Sequence, residues 1–231
     1  MPYIEGLFGA IHLSGKCNRS CYFCIGQHMM VMDGYDVLDT WPLPGLDDFI
    51  TQCKDRHIPV IHISGTNTDP MLYKHLPELT RRLRMRLPGV QLGVRTNGVV
   101  LKYELLRLFD RGSVHCTTFS KELYLKTMGA GHPPNLKKIV RLSSWPVRLE
   151  IVLCPEVRLG QLFKDIDHAI GCGVQDINLR EPYGQPHIGD PLDGVAFRRA
   201  TGFGMPQYTI HGTPVTYWDT RKVLGLSSVN L

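Results

Sequence analysis

The 231-residue sequence predicts an α/β fold: about six parallel βα units forming a partial or full (β/α) barrel, followed by a small carboxyl-terminal extension. Three observations carry this. Short β-branched runs alternate six times with amphipathic segments, the order produced by right-handed βαβ crossovers. With 43% apolar and 20% charged residues, the chain can bury one large core. The segments richest in polar and special residues all follow strand ends, on the rim where such folds carry their sites.

The elements read in order as follows. AIHL at 10–13 is a strand running straight into a cysteine-rich loop. PGLDDFITQCKDRH at 44–57 is a helix with Phe49, Ile50 and Cys53 on one face. PVIHIS at 59–64 is the second strand, followed by a Gly/Asn/Asp/Pro loop and a helix over 71–86. VQLGVRT at 90–96 is the third strand, and LKYELLRLFDRG at 101–112 the third helix, with Gly112 as its end signal. SVHCTTF at 113–119 is the fourth strand, before a helical stretch from Lys121 to Ser143 broken by GAGHPPN. VRLEIVL at 147–153, a helix over 159–173 and VQDINLR at 174–180 complete the six units. Beyond Tyr183 the texture turns to Gly, Pro, Asp and aromatics, and PQYTIHGTPVTYWD reads as a hairpin turning at His211-Gly212. Residues 1–182 therefore form the expected core. Residues 183–231 form a cap or hairpin extension, too small to bury a core of its own.

Charge and cysteine usage narrow the class. The formal charge of +5 permits an anionic substrate without requiring one. Its densest run, RRLRMR at 81–86, reads as a solvated helix face rather than a nucleic-acid patch. The start of the chain, MPYIEGLFGAIHLSG, lacks the basic segment and apolar core of a signal peptide. No apolar run approaches the ~20 residues that span a bilayer, so no membrane partner is expected. Seven cysteines, four of them scattered at Cys53, Cys116, Cys154 and Cys172, make poor material for a disulfide framework. A reducing cytoplasmic location is expected, with those four packed as small hydrophobes.

The remaining three stand together in SGKCNRSCYFCIGQH, where Cys17, Cys21 and Cys24 have the spacing C-x3-C-x2-C. Soft thiolates suit iron and zinc alike. Three of them on an iron–sulfur cubane leave one iron open, whereas zinc requires a fourth ligand, which His28 is close enough in sequence to supply. The zinc alternative describes a nucleic-acid-binding protein that uses Cys17, Cys21, Cys24 and His28 beside the arginine-rich helix. Zinc is the weaker fit, because a zinc finger usually arranges its ligands in two separated pairs.

At this point the chain resembles the radical S-adenosylmethionine (SAM) superfamily. The resemblance is carried by Cys17, Cys21, Phe23 and Cys24 after the first strand of a βα barrel. It implies that the three cysteines hold a [4Fe-4S] cluster whose open iron binds the amino and carboxylate groups of SAM, with Phe23 beside the adenine. A second match follows strand two. Where the family often carries a Gly-Gly-Glu-Pro-like segment, this chain has SGTNTDP, one glycine short, with Gly65, Thr66, Asn67, Thr68 and Asp69 facing the SAM ammonium group. The competing reading of Asp69 is an Asx-type turn capping the next helix. A third match is RTNG after strand three, which brings in Asn97. By position alone, Ser120 at the end of strand four and Arg180 at the end of strand six face the ribose or carboxylate of SAM.

The same resemblance implies that a reduced cluster splits SAM into methionine and a 5′-deoxyadenosyl radical, which then takes a hydrogen atom from the substrate. An external one-electron donor similar to flavodoxin or ferredoxin is implied. The substrate is not legible: nucleosides, small metabolites and protein glycyl sites stay open. The lack of a second cysteine cluster argues against relatives with auxiliary clusters. Tyr208, Tyr217 and Trp218 make the extension a candidate lid.

Overall fold

The computed structural model describes residues 7–27, 36–100, 102–182, 188–192, 194, 197–201, 204–218 and 228–230, with 197–199 and 228–230 described by their backbone. Six strands, β1 (Phe8–Leu13), β2 (Val60–Gly65), β3 (Gln91–Thr96), β4 (Arg111–Cys116), β5 (Val147–Val152) and β6 (Asp176–Arg180), pair in sequence order, all parallel. Between them run α1 (Leu46–Asp55), α2 (Leu76–Arg86), the short α3 (Tyr103–Leu106), α4 (Lys121–Met128), α5 (Leu136–Leu142) and α6 (Leu159–Gly171).

The sheet continues at both ends. β10 (Ser228–Asn230) adds in parallel to β1, and β9 (Thr213–Trp218) adds in parallel to β6. Thus eight strands are parallel, and the antiparallel β8 (Pro206–Ile210) and β7 (Phe197–Ala200) finish the far edge. The strand order is β10-β1-β2-β3-β4-β5-β6-β9-β8-β7; the first and last strands do not pair, so the barrel is partial. The hairpin turn lies at His211-Gly212, where the sequence places it.

Apolar positions explain which face the helices cover. α1 buries Leu46, Phe49, Ile50 and Cys53 at helical spacing, and α2 buries Leu76, Leu79 and Leu83. They meet Ile11, Leu13, Ile61, Ile63, Leu92, Val94, Val114, Leu149, Ile151, Ile177 and Leu179, the outward positions of the strands. Arginines of the 81–86 run are engaged along this outer layer. Arg82 binds both carboxylate oxygens of Asp47 at 2.7 and 2.9 Å, and Arg84 binds Asp110 at 3.0 Å.

Several boundaries differ from the sequence reading. The second helix begins at Leu76 rather than residue 71, after a separate 3-10 turn at Pro70–Leu72. The third helix is a single turn, and Gly112 is a strand residue rather than a helix end. A Cβ on Gly112 would lie 2.5 Å from the Trp145 ring, so glycine is needed there to let the indole pack across the strand. Trp145 is fixed by donating from Nε1 to the Leu106 carbonyl at 3.0 Å. The fourth strand ends at Cys116, three residues earlier than expected, which moves Ser120 off the strand. Among the described residues, no helix is long and apolar enough to cross a membrane.

Candidate active site

The loops after β1, β2 and β3 converge on a cavity of about 600 Å³ at the carboxyl-terminal rim. Cys17, Cys21 and Cys24 line it together with Phe23, Gly65, Thr66, Asn67, Thr68, Asp69, Asn97 and Arg180. Sequence reasoning placed these residues on separate loops, and the sheet brings them to one opening.

The cysteine loop is held from two sides. Ser20 donates its backbone N–H to the Met128 carbonyl at the end of α4 (3.1 Å), and Gly129 with φ 74° continues that support. A Cβ on Gly129 would lie 2.2 Å from Ser20 Oγ. Arg19 donates from Nε to Tyr124 OH at 3.0 Å, tying the loop to the same helix. On the other side, Cys24 Sγ lies 3.7 Å from the Thr66 carbonyl. Gly26 packs so closely that a Cβ would fall 2.5 Å from that same oxygen. The glycine thus lets the cysteine loop rest on the loop after β2.

Burial pushes the Cys21 thiol up to about 12, and Cys24 and Cys17 push in the same direction. Burial likewise raises Cys17, with Asp69 and Cys24 adding to it against backbone hydrogen bonds. Neutral thiols are therefore favoured until a cation draws the protons off, which fits a metal-binding role. Among the described residues, no three Cys, His, Asp or Glu side chains converge tightly enough to hold a single ion. A cubane does not need that convergence, since each thiolate takes a different iron. The donor set therefore fits a [4Fe-4S] cluster. His28, the fourth ligand in the zinc alternative, lies outside the described residues.

The polar residues of the other two loops are largely engaged with one another. Asn67 Oδ1 accepts from Ser14 Oγ at 3.1 Å and from the Gly15 N–H at 3.0 Å, locking the loop after β2 to the end of β1. Asp69 is buried; its carboxylate accepts from Met71 N (3.0 Å), Thr96 Oγ1 (2.9 Å) and Asn97 N (2.6 Å). It therefore makes the capping contact of the Asx-type turn and also joins two loops. Burial raises its pKa, and these donors pull it back. Gly65 closes the turn, where a Cβ would collide with the Thr68 carbonyl at 1.8 Å.

Ser120 and Arg180 fare differently. Ser120 precedes the first turn of α4 and is not among the cavity residues, because β4 has already ended. Arg180 lines the cavity and donates to Glu150 Oε2 at 3.0 Å. Tyr208 and Tyr217, offered as lid residues, are buried within the sheet, while Trp218 is half-buried.

The inner face of the strands was missed. Register pairs Arg95 with Ser113, His115 with Glu150, Glu150 with Asn178, and Asn178 with Thr216, so these side chains share the face opposite the helices. His115 Nε2 lies 3.6 Å from Glu150 Oε2. Burial alone would raise Glu150, but His115, Arg180 and Arg95 hold its carboxyl well below the usual range. Burial lowers His115, with Glu150 opposing and Arg180 and Arg95 assisting. The signal was available: parallel strands covered on both faces read as continuous apolar runs, whereas VRT, VHC, LEIV and INLR alternate. Polar positions with period two mark a face that meets a cavity.

An open α/β barrel presents three thiols and two glycine-bearing loops around one cavity, a donor set suited to a metal cofactor. The chain belongs to the radical SAM superfamily, whose family model matches residues 11–144. The fold is similar to that of SuiB from Streptococcus suis bound to S-adenosylmethionine, with a TM-score of 0.60, 17% identity, and 80% of this chain and 42% of that chain covered. It is also similar to methylornithine synthase PylB, with a TM-score of 0.60, 14% identity, and 81% and 56% covered. A third similar structure is anSMEcpe with bound AdoMet, with a TM-score of 0.58, 13% identity, and 80% and 55% covered. The chain thus spans between 42% and 56% of the length of these structures. No curated protein matches the chain by sequence. The cofactors of that superfamily are a [4Fe-4S] cluster and SAM.

Proposed function

We propose that this enzyme binds its cluster through Cys17, Cys21 and Cys24, cleaves SAM reductively, and starts radical chemistry on a substrate held against the inner wall of the barrel. The observation that carries this is the convergence of the three thiols with the loops after β2 and β3 on one cavity of about 600 Å³. That volume suits a small-molecule cofactor with part of a substrate. When bound, the cluster and SAM supply a one-electron reduction that yields a carbon radical able to abstract hydrogen.

The chain's own residues divide the remaining work. Gly65 and Thr66 present backbone beside Cys24, where the SAM ammonium group would find acceptors. Asn67, Asp69 and Asn97 hold those loops in place through their bonds to Ser14, Thr96, Met71 and Asn18. Phe23 offers a ring wall for the adenine, and Arg180, steadied by Glu150, faces the ribose or carboxylate. Residues 1–182 act as the catalytic core, and 183–231 extend its edge as a cap. The electron comes from an external flavodoxin- or ferredoxin-like donor. A reducing cytoplasm suits cysteines that, among the described residues, form no disulfide.

The test is anaerobic reconstitution with iron and sulfide, then dithionite and SAM, with assay of 5′-deoxyadenosine. The expected result is about four irons per chain and product above a SAM-free control. Stoichiometric zinc without labile sulfide would overturn the reading.

A further inference from the structure

We propose that Arg95 is the recognition point for a carboxylate carried by the substrate. This rests on the reading that the substrate lies against the inner wall. Arg95 sits on β3 with its side chain on the inner face, beside Ser113 of β4, and lines the cavity below the cysteine loop. Among the described residues, no hydrogen bond or ion pair engages its guanidinium. A guanidinium stays charged at every pH of interest and carries five donors in a planar fork. Arg95 is half-buried at the cavity wall, where a ligand anion would complete its hydrogen bonds.

Its neighbours show why the partner is external. Arg180 is bonded to Glu150, and Arg19 is engaged by Tyr124 OH and the Asn18 carbonyl beside the cysteine loop. Among the described residues Glu150 is the acid that acts on Arg95, and it is also shared with His115. Of the inner histidines, His115 and His62 are neutral near pH 7, since burial lowers His115 and takes His62 to about 3. Arg95 and Arg180 against Glu150 therefore leave one cation in excess. The guanidinium fork can hold a carboxylate or a phosphate bidentately, and one excess charge is matched by a monoanion, which selects a carboxylate over a phosphate dianion.

The test uses the reconstituted enzyme with SAM present, so that the site for the SAM carboxylate is already filled. Acetate is the probe, followed by saturation-transfer NMR, with inorganic phosphate as competitor at matched ionic strength. The expected result is a saturable acetate signal that phosphate displaces poorly. Arg95→Gln should weaken acetate binding about tenfold or more while the Kd for SAM moves far less, and Arg95→Lys should recover part of the loss. Acetate binding that survives Arg95→Gln overturns the proposal, as does preference for phosphate, or a Kd for SAM that rises in parallel. If Arg95→Gln does not fold, as judged by its melting curve, Arg95→Lys decides: a Kd for acetate equal to that of the unmodified enzyme overturns the proposal. Failure of the enzyme to bind SAM sinks the function proposed above. SAM binding with no acetate signal sinks only this assignment.

Discussion

Asn97 donates from Nδ2 to Asn18 Oδ1 at 2.7 Å, tying the loop after β3 to the residue that follows Cys17. The same asparagine gives its backbone N–H to Asp69, so one chain of bonds links all three rim loops. Asp69 is therefore better described as a joint between loops than as a free ligand. Asp69→Ala strands two backbone donors and the Thr96 hydroxyl, and should lower stability by about 2–4 kcal/mol. SAM affinity should fall only as far as the loops loosen. Measuring the melting temperature and the Kd for SAM on one variant decides the matter. An unchanged melting temperature with lost SAM binding would return Asp69 to direct contact with the cofactor.

Gly26 supplies a second test of loop contact. Its φ is ordinary, so alanine meets no backbone strain there. The added Cβ would instead press on the Thr66 carbonyl, 2.5 Å away, and on Asn67. Backbone cannot swing aside as a side chain can, so the two loops must part. Gly26→Ala should cost about 1–3 kcal/mol, the usual range for overpacking. It should also reduce iron retention during gel filtration. Full iron retention and an unchanged melting temperature would show that the cysteine loop does not rest on the loop after β2.

The scattered cysteines should behave unlike the loop trio. Cys116 lines the cavity, yet its thiol donates to the Thr118 carbonyl at 3.1 Å, and Cys53 is packed in the core. Replacing Cys53, Cys116, Cys154 and Cys172 with Ala or Ser should leave about four irons per chain. Single alanine substitutions at Cys17, Cys21 or Cys24 should each abolish SAM cleavage. Iron and sulfide analysis checks both claims, and halved iron in the first variant would reveal a second cluster.

The six βα units and the three-cysteine loop were legible because each is written locally, in strand periodicity and in close spacing. Asp69 was legible in both of its readings, and geometry favours the joint. Arg95, His115 and Glu150 were overlooked because their importance depends on which face of a strand looks into the cavity. That face is fixed only when neighbouring strands set the register. Gly26 was invisible for a related reason: its need for a bare Cα comes from Thr66, forty residues along the chain. The third helix was overextended because the apolar pattern of LKYELLRLFDRG continues past its end. There, Asp110 accepts from Leu92 N at 2.8 Å and the chain turns directly into β4.

The inner wall should make the fold acid-sensitive through His62. Burial, assisted by Arg95 and Arg111, lowers its pKa from the ordinary 6.5 to about 3, with Glu150 pulling the other way. Between those values the unfolded chain holds a proton on this ring that the folded chain refuses. The unfolded state then binds more protons, so stability rises with pH across this window. His62 accordingly costs nothing above 6.5, and stability is lost as pH falls from 6.5 towards 3. A single group contributes at most about 1.4 kcal/mol per pH unit. Glu150, held low, adds a loss of the same sign only below its ordinary 4.5. Denaturant unfolding between pH 6.5 and 5 therefore follows the histidines, with Asp69, whose pKa burial raises, acting in the opposite direction. His62→Gln should flatten the slope there. A slope unchanged in His62→Gln would mean that His62 takes up its proton in the folded protein.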